Sequence, residues 1–450
     1  MADRDEQHLL GRFWLAGHPE QKLPGWLDVS GRNPKITLAG QLTAPVEWSP
    51  TEDGGMQGVP APEFPVERFT VHGQLSVGNQ QKVTLLQADT YPLNFQLFGD
   101  LDAESENGTQ VFEGHWLIRG AHIEPADKIL KAMVRFTYID EWAARHGLTK
   151  YQPSFAAGKP VEVSYQEPES LEAPIPGGLG KLHLGHYRQP TSPTSVGLEI
   201  RHETWLRIDA EAASLDALHS EFVAPVLNLA SVMLDRSCKI TQLRVATENS
   251  ELYDPVYHPT IRADRPVRPI EPGYSYLRLP DIDFATVANA VVAFRDIDPI
   301  PSILVSTFER DSGRFLETDL LELAACAEGL DLRLHKTGDK TYRQRLERLI
   351  AYTKDCVPEA AGVAVKWAGS LVNARNDYAH LLPGPRNTWK TNLVLWESLK
   401  WILGAAILLH AGVDAEVIKE GLKRHESYAF FVRKAKNYAP DIYSEPVSAQ

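Results

Sequence analysis

Along the first two hundred residues, apolar and polar side chains alternate at a period of two, in short runs rich in β-branched and aromatic residues. The pattern predicts strands over Lys35–Leu42, Phe69–Val77, Lys82–Gln87, Val111–Ile123, Ala132–Ile139, Val161–Tyr165, Leu182–Tyr187 and Gly197–Ile208. Glycine- and proline-rich breaks separate the runs, and the longest, Ser49–Pro65, reads as an exposed loop. A short helix over Asp140–His146 interrupts the series. Strand after strand with so little helix between them predicts an antiparallel, β-sandwich-like region or a pair of stacked sheets.

The period then changes. Leu215, Leu218, Phe222, Val226, Leu229, Val232 and Met233 recur at helical spacing within Ser214–Arg236, with Ser214 suited to cap the helix. A strand over Ile240–Ala246, a proline-rich connector over Pro255–Pro280 and a helix over Asp283–Arg295 follow. Beyond that the chain reads as helical throughout. Thr318 is placed to cap one helix, and Thr341 with Gln344 forms a capping box for the next. A third helix spans Glu359–Leu382, a fourth Thr388–His410 with Gly412 as its stop, and a fifth starts near Asp414. Short connections predict a compact antiparallel bundle. The expected architecture is a multidomain α+β chain: a β-rich region over 1–210, a mixed and proline-rich connector over 211–315, and an all-α bundle over 316–450.

Composition refines this picture. The chain is 43% hydrophobic and 23% charged over 450 residues, as in ordinary soluble globular proteins. The start, MADRDEQHLL, has no apolar core of a secretory signal, and the most apolar run, Trp401–Leu409, is too short to cross a bilayer. Cys238, Cys326 and Cys356 lie far apart without metal-ligand spacing. These features predict a reduced, cytoplasmic protein without a membrane partner. The net charge of −13 argues against a broad nucleic-acid-coating surface. From Asp311 onward, however, 19 Lys and Arg face 18 Asp and Glu, so the acidity belongs to the part before it.

The candidate chemistry lies in VNARNDYAHLLPG, Val372–Gly384. Asn376 and His380 stand four apart on one helix face, and Arg375 is one residue round from it. Arginine offers a permanent cation and a planar donor fork suited to phosphate oxygens. Histidine can give and take a proton near neutral pH. Together they suffice to cleave a phosphodiester without a metal. His72, His115, His122, His183, His186 and His202 have no metal-binding spacing and read as structural; no metal or cofactor is expected.

The segments ETDLLELAACAEGLDLRLHK, TYRQRLERLIAY and VNARNDYAHLL resemble, in order and spacing, the ApeA-like branch of HEPN-domain ribonucleases. GRFWLAGHPEQKLPGWLDVSG, KVTLLQA, VFEGHWLIRGAHI and RFTYIDEW resemble the β-rich N-terminal domain that accompanies it in bacterial anti-phage proteins. The resemblance implies a metal-independent endoribonuclease in which the RNA 2′-hydroxyl attacks the adjacent phosphorus. It makes His380 the general acid or base, Arg375 the stabiliser of the phosphorane oxygens, and Asn376 the residue that orients His380 or the phosphate. It further implies a homodimer across whose interface two motifs meet and an RNA substrate such as tRNA. Because a ribonuclease that is always on would poison its own cell, residues 1 to about 310 are expected to restrain the dimer until a phage-derived trigger appears. Glu328 falls where related proteins carry an acid facing the motif helix; an ordinary exposed glutamate is the other reading. Lys419, Lys423, Arg424, Arg433, Lys434 and Lys436, with Tyr428, Phe430 and Phe431, form either an RNA path or a solvated helix face over a core. Two competing readings remain. One is a catalytically silent HEPN module for dimerisation or regulation; the other is a carbohydrate-binding β-region built on Trp14, Trp26, Trp48 and Trp116.

Overall fold

The computed structural model describes residues 8–31, 33–43, 47–50, 56–59, 68–76, 81–92, 109–145, 147–152, 162–190, 200–248, 254–258, 261, 270, 274–308, 315–336 and 338–444. The expectations at Val77, His146, Val161 and Gly197, and for half of Pro255–Pro280, fall outside these residues. Contacts divide the chain into two compact units. One comprises Met1–Val134, Ala210–Leu215 and Ile240–Arg265; the other comprises Arg135–Asp209, Asp216–Lys239 and Pro266–Gln450.

In the first unit, six antiparallel strands close a ring. His8–Leu15 pairs with Leu23–Asp28 on one edge and Phe69–Leu75 on the other. Leu23–Asp28 pairs with Lys35–Ala39, which pairs with Thr109–Glu113. Lys82–Pro92 then joins Phe69–Leu75 to Thr109–Glu113 and completes the circuit. Closure satisfies strand edges that would otherwise stay open. Phe13, Leu27, Ile36, Val71, Leu85 and Phe112 fill the interior with no exposed surface. Phe13 stands opposite Gly73 in the register, where a Cβ would come within 2.4 Å of the ring. The aromatic ring occupies the space that the glycine leaves.

Two departures from the periodic pattern have local causes. The strand expected to end at Gln87 runs on to Pro92, because Gln87 takes a left-handed φ of 54° at a bulge and the strand resumes beyond it. The expected single strand Val111–Ile123 is two, Thr109–Glu113 and Trp116–Arg119, broken at Gly114, where a Cβ would lie 2.6 Å from Leu85. Trp116–Arg119 pairs with the first half of Lys82–Pro92, and the sheet continues through Asp254–Tyr257 and Ile240–Thr247 to Ile129–Phe136. Ser49–Pro65 is not wholly loop. Glu47–Pro50 and Met56–Val59 pair antiparallel, and the rest of that stretch lies outside the described residues.

The second unit holds the antiparallel ladder of Leu171–Ile175, Gly180–Pro190 and the strand Ile200–Ala212 as far as Asp209, and all the long helices. Helix Ala224–Leu234 follows a π turn at His219–Val223. Pro225 has no N–H to give the Glu221 carbonyl, and Arg295 donates to that oxygen instead at 3.3 and 3.4 Å. Phe284–Ile297, capped by Asp283, packs on Leu171–Ile175. The central helix, Trp389–His410, is buried along most of its length against Leu316–His335, Tyr342–Thr353, Ala364–Ala379 and Glu426–Tyr438. It and Leu215–Leu234 are long and apolar enough to cross a membrane, and both are largely buried within the fold. The short run Trp401–Leu409 is thus one part of a 22-residue core helix.

Capping residues set several boundaries. The Thr341–Gln344 box forms as expected, and Thr388, expected as the first residue of its helix, is the N-cap of Trp389–His410. Thr318 does not cap: it sits in the first turn of Leu316–His335, whose N-cap is Phe315. The predicted helix Glu359–Leu382 is interrupted. A short turn, Pro358–Ala361, ends at Gly362 (φ 51°), where a Cβ would meet the Ile442 carbonyl oxygen at 2.4 Å. The helix proper spans Ala364–Ala379. The expected fifth helix is two, Ala415–Arg424 and Glu426–Tyr438, divided at buried His425. That ring caps the second helix by accepting from Tyr428 N, and its Nε2 lies 3.0 Å from the Tyr274 carbonyl.

Candidate active site at the end of the motif helix

Ala364–Ala379 carries the Arg-Asn-x-x-x-His sequence on its last turn. Trp367, fully buried, donates its indole N–H to Ser398 Oγ at 2.7 Å and fixes the helix to the core. The C-terminus is a Schellman closure. Leu382 N–H donates to the Asp377 carbonyl at 2.9 Å and Leu381 N–H to that of Tyr378 at 3.3 Å, with Leu381 left-handed at φ 50°. His380 is therefore the C-cap residue and not an interior helical position.

The three candidate residues differ in surroundings. Arg375 points towards Leu316–His335. Its Nη2 lies 3.4 Å from Glu328 Oε2, and its guanidinium stacks 4.8 Å from the Tyr342 ring centroid. Tyr342 donates to the Ala324 carbonyl at 3.2 Å, and burial raises its phenol well above the ordinary range. Asn376 is half-buried, and its carbonyl accepts the His380 N–H at 3.1 Å. The His380 ring is exposed and, among the described residues, has no hydrogen-bond or ion-pair partner. No hydrogen bond joins the three side chains to one another within the chain. They share one helix end, with the cation oriented and the imidazole open to solvent.

Behind Arg375 lies an ionic network that the motif alone did not reveal. Glu328 also faces the buried Arg345 at 3.9 Å, which faces Asp331 at 3.5 Å. Asp331 is fully buried and also pairs with Arg348 and, at 3.2 Å, with His335. Burying that carboxylate would be costly without such cations around it. The spacer residues have structural work. Arg386 donates to Asp377 through its backbone N–H and guanidinium at 2.6 to 2.8 Å, and these bonds hold the Asp377 carboxyl below its ordinary range. The clamp folds Leu381–Pro385 back over the helix end. Tyr378 OH accepts from Asn392 on the central helix. Tyr342, next to its Thr341 cap, and the Arg343–Arg348 cluster were visible signals in sequence, but no spacing tied them to Arg375.

The basic run at the C-terminus is largely neutralised. Lys419 pairs with Glu416, Lys423 with Glu420, Arg424 with Asp281 and Lys434 with Glu397. Tyr428 and Phe431 are core residues, whereas Phe430, Arg433 and Lys436 are exposed. Among the described residues the tryptophans form no exposed platform. Trp14 and Trp116 are buried, packed against His122 and His258, while Trp26 is partly exposed and the side chain of Trp48 lies outside the described residues. His72 and His122 stack at 4.9 Å, and their Nε2 atoms reach the carbonyls of Ile123 and Gly73. Among the described residues no three His, Cys, Asp or Glu side chains are grouped to hold a metal ion. The three cysteines are free and buried, and burial pushes the thiols of Cys238 and Cys326 up to about 12 and that of Cys356 up to about 11.

No curated protein and no solved structure matches the chain. The family described as ApeA N-terminal domain 1 matches residues 8–288, which includes the closed β-ring and the strands that extend it. A match over well over half of the sequence settles the relationship: the chain belongs to the ApeA-like family.

Proposed function

We propose that this protein is an anti-phage defence factor acting in the cytoplasm as a metal-independent endoribonuclease of the HEPN type. Family membership suggests the defence role, and the helical C-terminal part is compatible with a HEPN bundle. One observation carries the catalytic reading: the end of the motif helix offers an oriented guanidinium at Arg375 and an unpartnered imidazole at His380. In the proposed reaction the RNA 2′-hydroxyl attacks the adjacent phosphorus and the 5′-oxygen leaves. A 2′,3′-cyclic phosphate and a 5′-hydroxyl result. His380 moves the proton, taking it from the 2′-hydroxyl as a base or giving one to the leaving 5′-oxygen as an acid. Arg375 stabilises charge on the phosphorane oxygens, and Asn376 orients His380 or the phosphate. One such pair is sparse, so the active form is a homodimer in which two motifs share a cleft. A structured RNA such as tRNA is the substrate, and DNA, lacking the nucleophile, is inert. The N-terminal region restrains the enzyme until a phage-derived trigger appears.

The silent-module reading draws on one observation, that Arg375 is already engaged by Glu328 and Tyr342. Wild type and His380→Ala expressed in bacteria at matched levels separate the two. Loss of phage resistance and of cyclic-phosphate RNA ends in a folded variant supports the nuclease; full protection by the variant removes it.

A further inference from the structure

A second site lies in the same unit, away from the Arg-Asn-x-x-x-His sequence in the chain. Between the central helix and Glu426–Tyr438 is a cleft of about 690 Å³, within the range of small-molecule sites. Trp396 and Trp401 line its inner part. Three further lining residues, Glu426, Phe430 and Arg433, stand at i, i+4 and i+7 of one helix, hence on one face. Seven residues advance a helix by about 10.5 Å. The face therefore presents, in line, an acceptor carboxylate, an aromatic ring and a cation.

The state of each group decides what this row can hold. The other two cations of the cleft are committed: Lys400 to Asp235 at 2.8 Å, and Lys434 to Glu397. Arg433 is exposed and, among the described residues, has no ion-pair partner, and the same holds for Glu426. Phe430 is 57% exposed, whereas its neighbours Tyr428 and Phe431 on the same helix are buried and Tyr438 is partly buried. An exposed ring, with the Lys434 ammonium 5.1 Å from its centroid, stands between a carboxylate and a guanidinium that have no ion-pair partner among the described residues. The row fits a ligand that is planar in the middle, donates N–H at one end and is anionic at the other.

We propose that this cleft binds a nucleoside monophosphate unit whose base carries an amino group. The base stacks on Phe430, its amino edge donates to Glu426, and its phosphate accepts from Arg433. The row matches the reach from base edge to phosphate in such a unit. A free nucleotide and a nucleotide within single-stranded RNA present the same chemistry.

The test uses the full chain carrying His380→Ala, so that no oligonucleotide is cut, and reads binding by calorimetry. AMP and GMP bind saturably; UMP and adenosine bind at least about tenfold more weakly, a difference of about 1.4 kcal/mol; inorganic phosphate alone does not bind. Phe430→Ala and Arg433→Ala each weaken AMP by about tenfold or more, and Glu426→Ala, which removes the acceptor, abolishes the preference of AMP over UMP. All three side chains are exposed, so folding is retained. Binding of a short oligoadenylate with the same dependence on these variants identifies the unit as part of a strand; binding of AMP alone identifies a free nucleotide. Absence of saturable binding by either ligand overturns the proposal, as does binding unaffected by Phe430→Ala and Arg433→Ala. Loss of ribonuclease activity leaves it untouched.

Discussion

His186 and Arg375 show at the residue scale how surroundings decide what a side chain can do. His186 is buried, stacked on His202 at 4.9 Å, with its Nδ1 3.1 Å from His202 Nε2; Tyr165 OH lies 2.6 Å from His202 Nδ1. Burial, then the charges of His202 and Arg145, lower its pKa to about 4, and Asp140 opposes them weakly. The unfolded chain titrates this imidazole near 6.5 and so binds more protons than the folded chain between pH 6.5 and 4. Its contribution to stability is complete above that window and is lost as pH falls through it. His186→Gln removes the titration. Melting temperatures measured from pH 7 to 4 fall more steeply for the wild type than for the variant; parallel curves would mean that His186 does not titrate differently on folding. Arg375 illustrates the opposite case. With both partners more than a quarter exposed, its pair with Glu328 adds little stability. The geometry it imposes on the guanidinium matters more than its energy.

At the scale of elements, the motif helix is defined by what stops it. Gly362 separates it from the preceding turn because the Ile442 carbonyl passes too close for a side chain, and Val363 N–H donates to that same carbonyl at 2.7 Å. Gly362→Ala would combine a strained left-handed backbone with a backbone clash, costing about 1–3 kcal/mol. Chemical denaturation should show this as a lower midpoint with an unchanged slope. Sequence periodicity ran straight through Gly362 because Glu359–Leu382 keeps helical spacing on both sides, and nothing local announces a carbonyl contributed from eighty residues away. The same limit explains the missed division at His425 and the continuation of a strand past Gln87. By contrast, capping boxes and alternation are local, and the Thr341 box and most strands were legible from the order of residues alone. The site was legible as three residues on one helix end. The Glu328–Arg345–Asp331 network behind it was not: Glu328 and Asp331 share a face of Leu316–His335, but Arg345 comes from Tyr342–Thr353 and Arg375 from Ala364–Ala379, and no spacing links the three helices.

Over the whole molecule, the order of the chain constrains how restraint by the N-terminal region can be tested. The unit that carries Arg375 and His380 is assembled from three stretches of chain, and its core depends on residues well before the bundle. Asp235 pairs with Lys400, His410 Nε2 lies 3.1 Å from the Ala293 carbonyl, and a Cβ at Gly421 would press on Tyr276. A fragment of 316–450 lacks all three supports, so loss of its toxicity would report unfolding. The β-ring, however, can be disabled in place. Leu85 is fully buried in its core, and Leu85→Asp would bury an unpaired carboxylate there, a change that ordinarily costs several kcal/mol. Every residue of the helical unit stays as it is. If the ring restrains a nuclease, bacteria expressing Leu85→Asp grow more slowly than those expressing the wild type, and the double variant Leu85→Asp, His380→Ala restores growth. Slow growth that persists in the double variant would come from aggregation of the unfolded ring, and unimpaired growth of the single variant would mean that this region exerts no restraint.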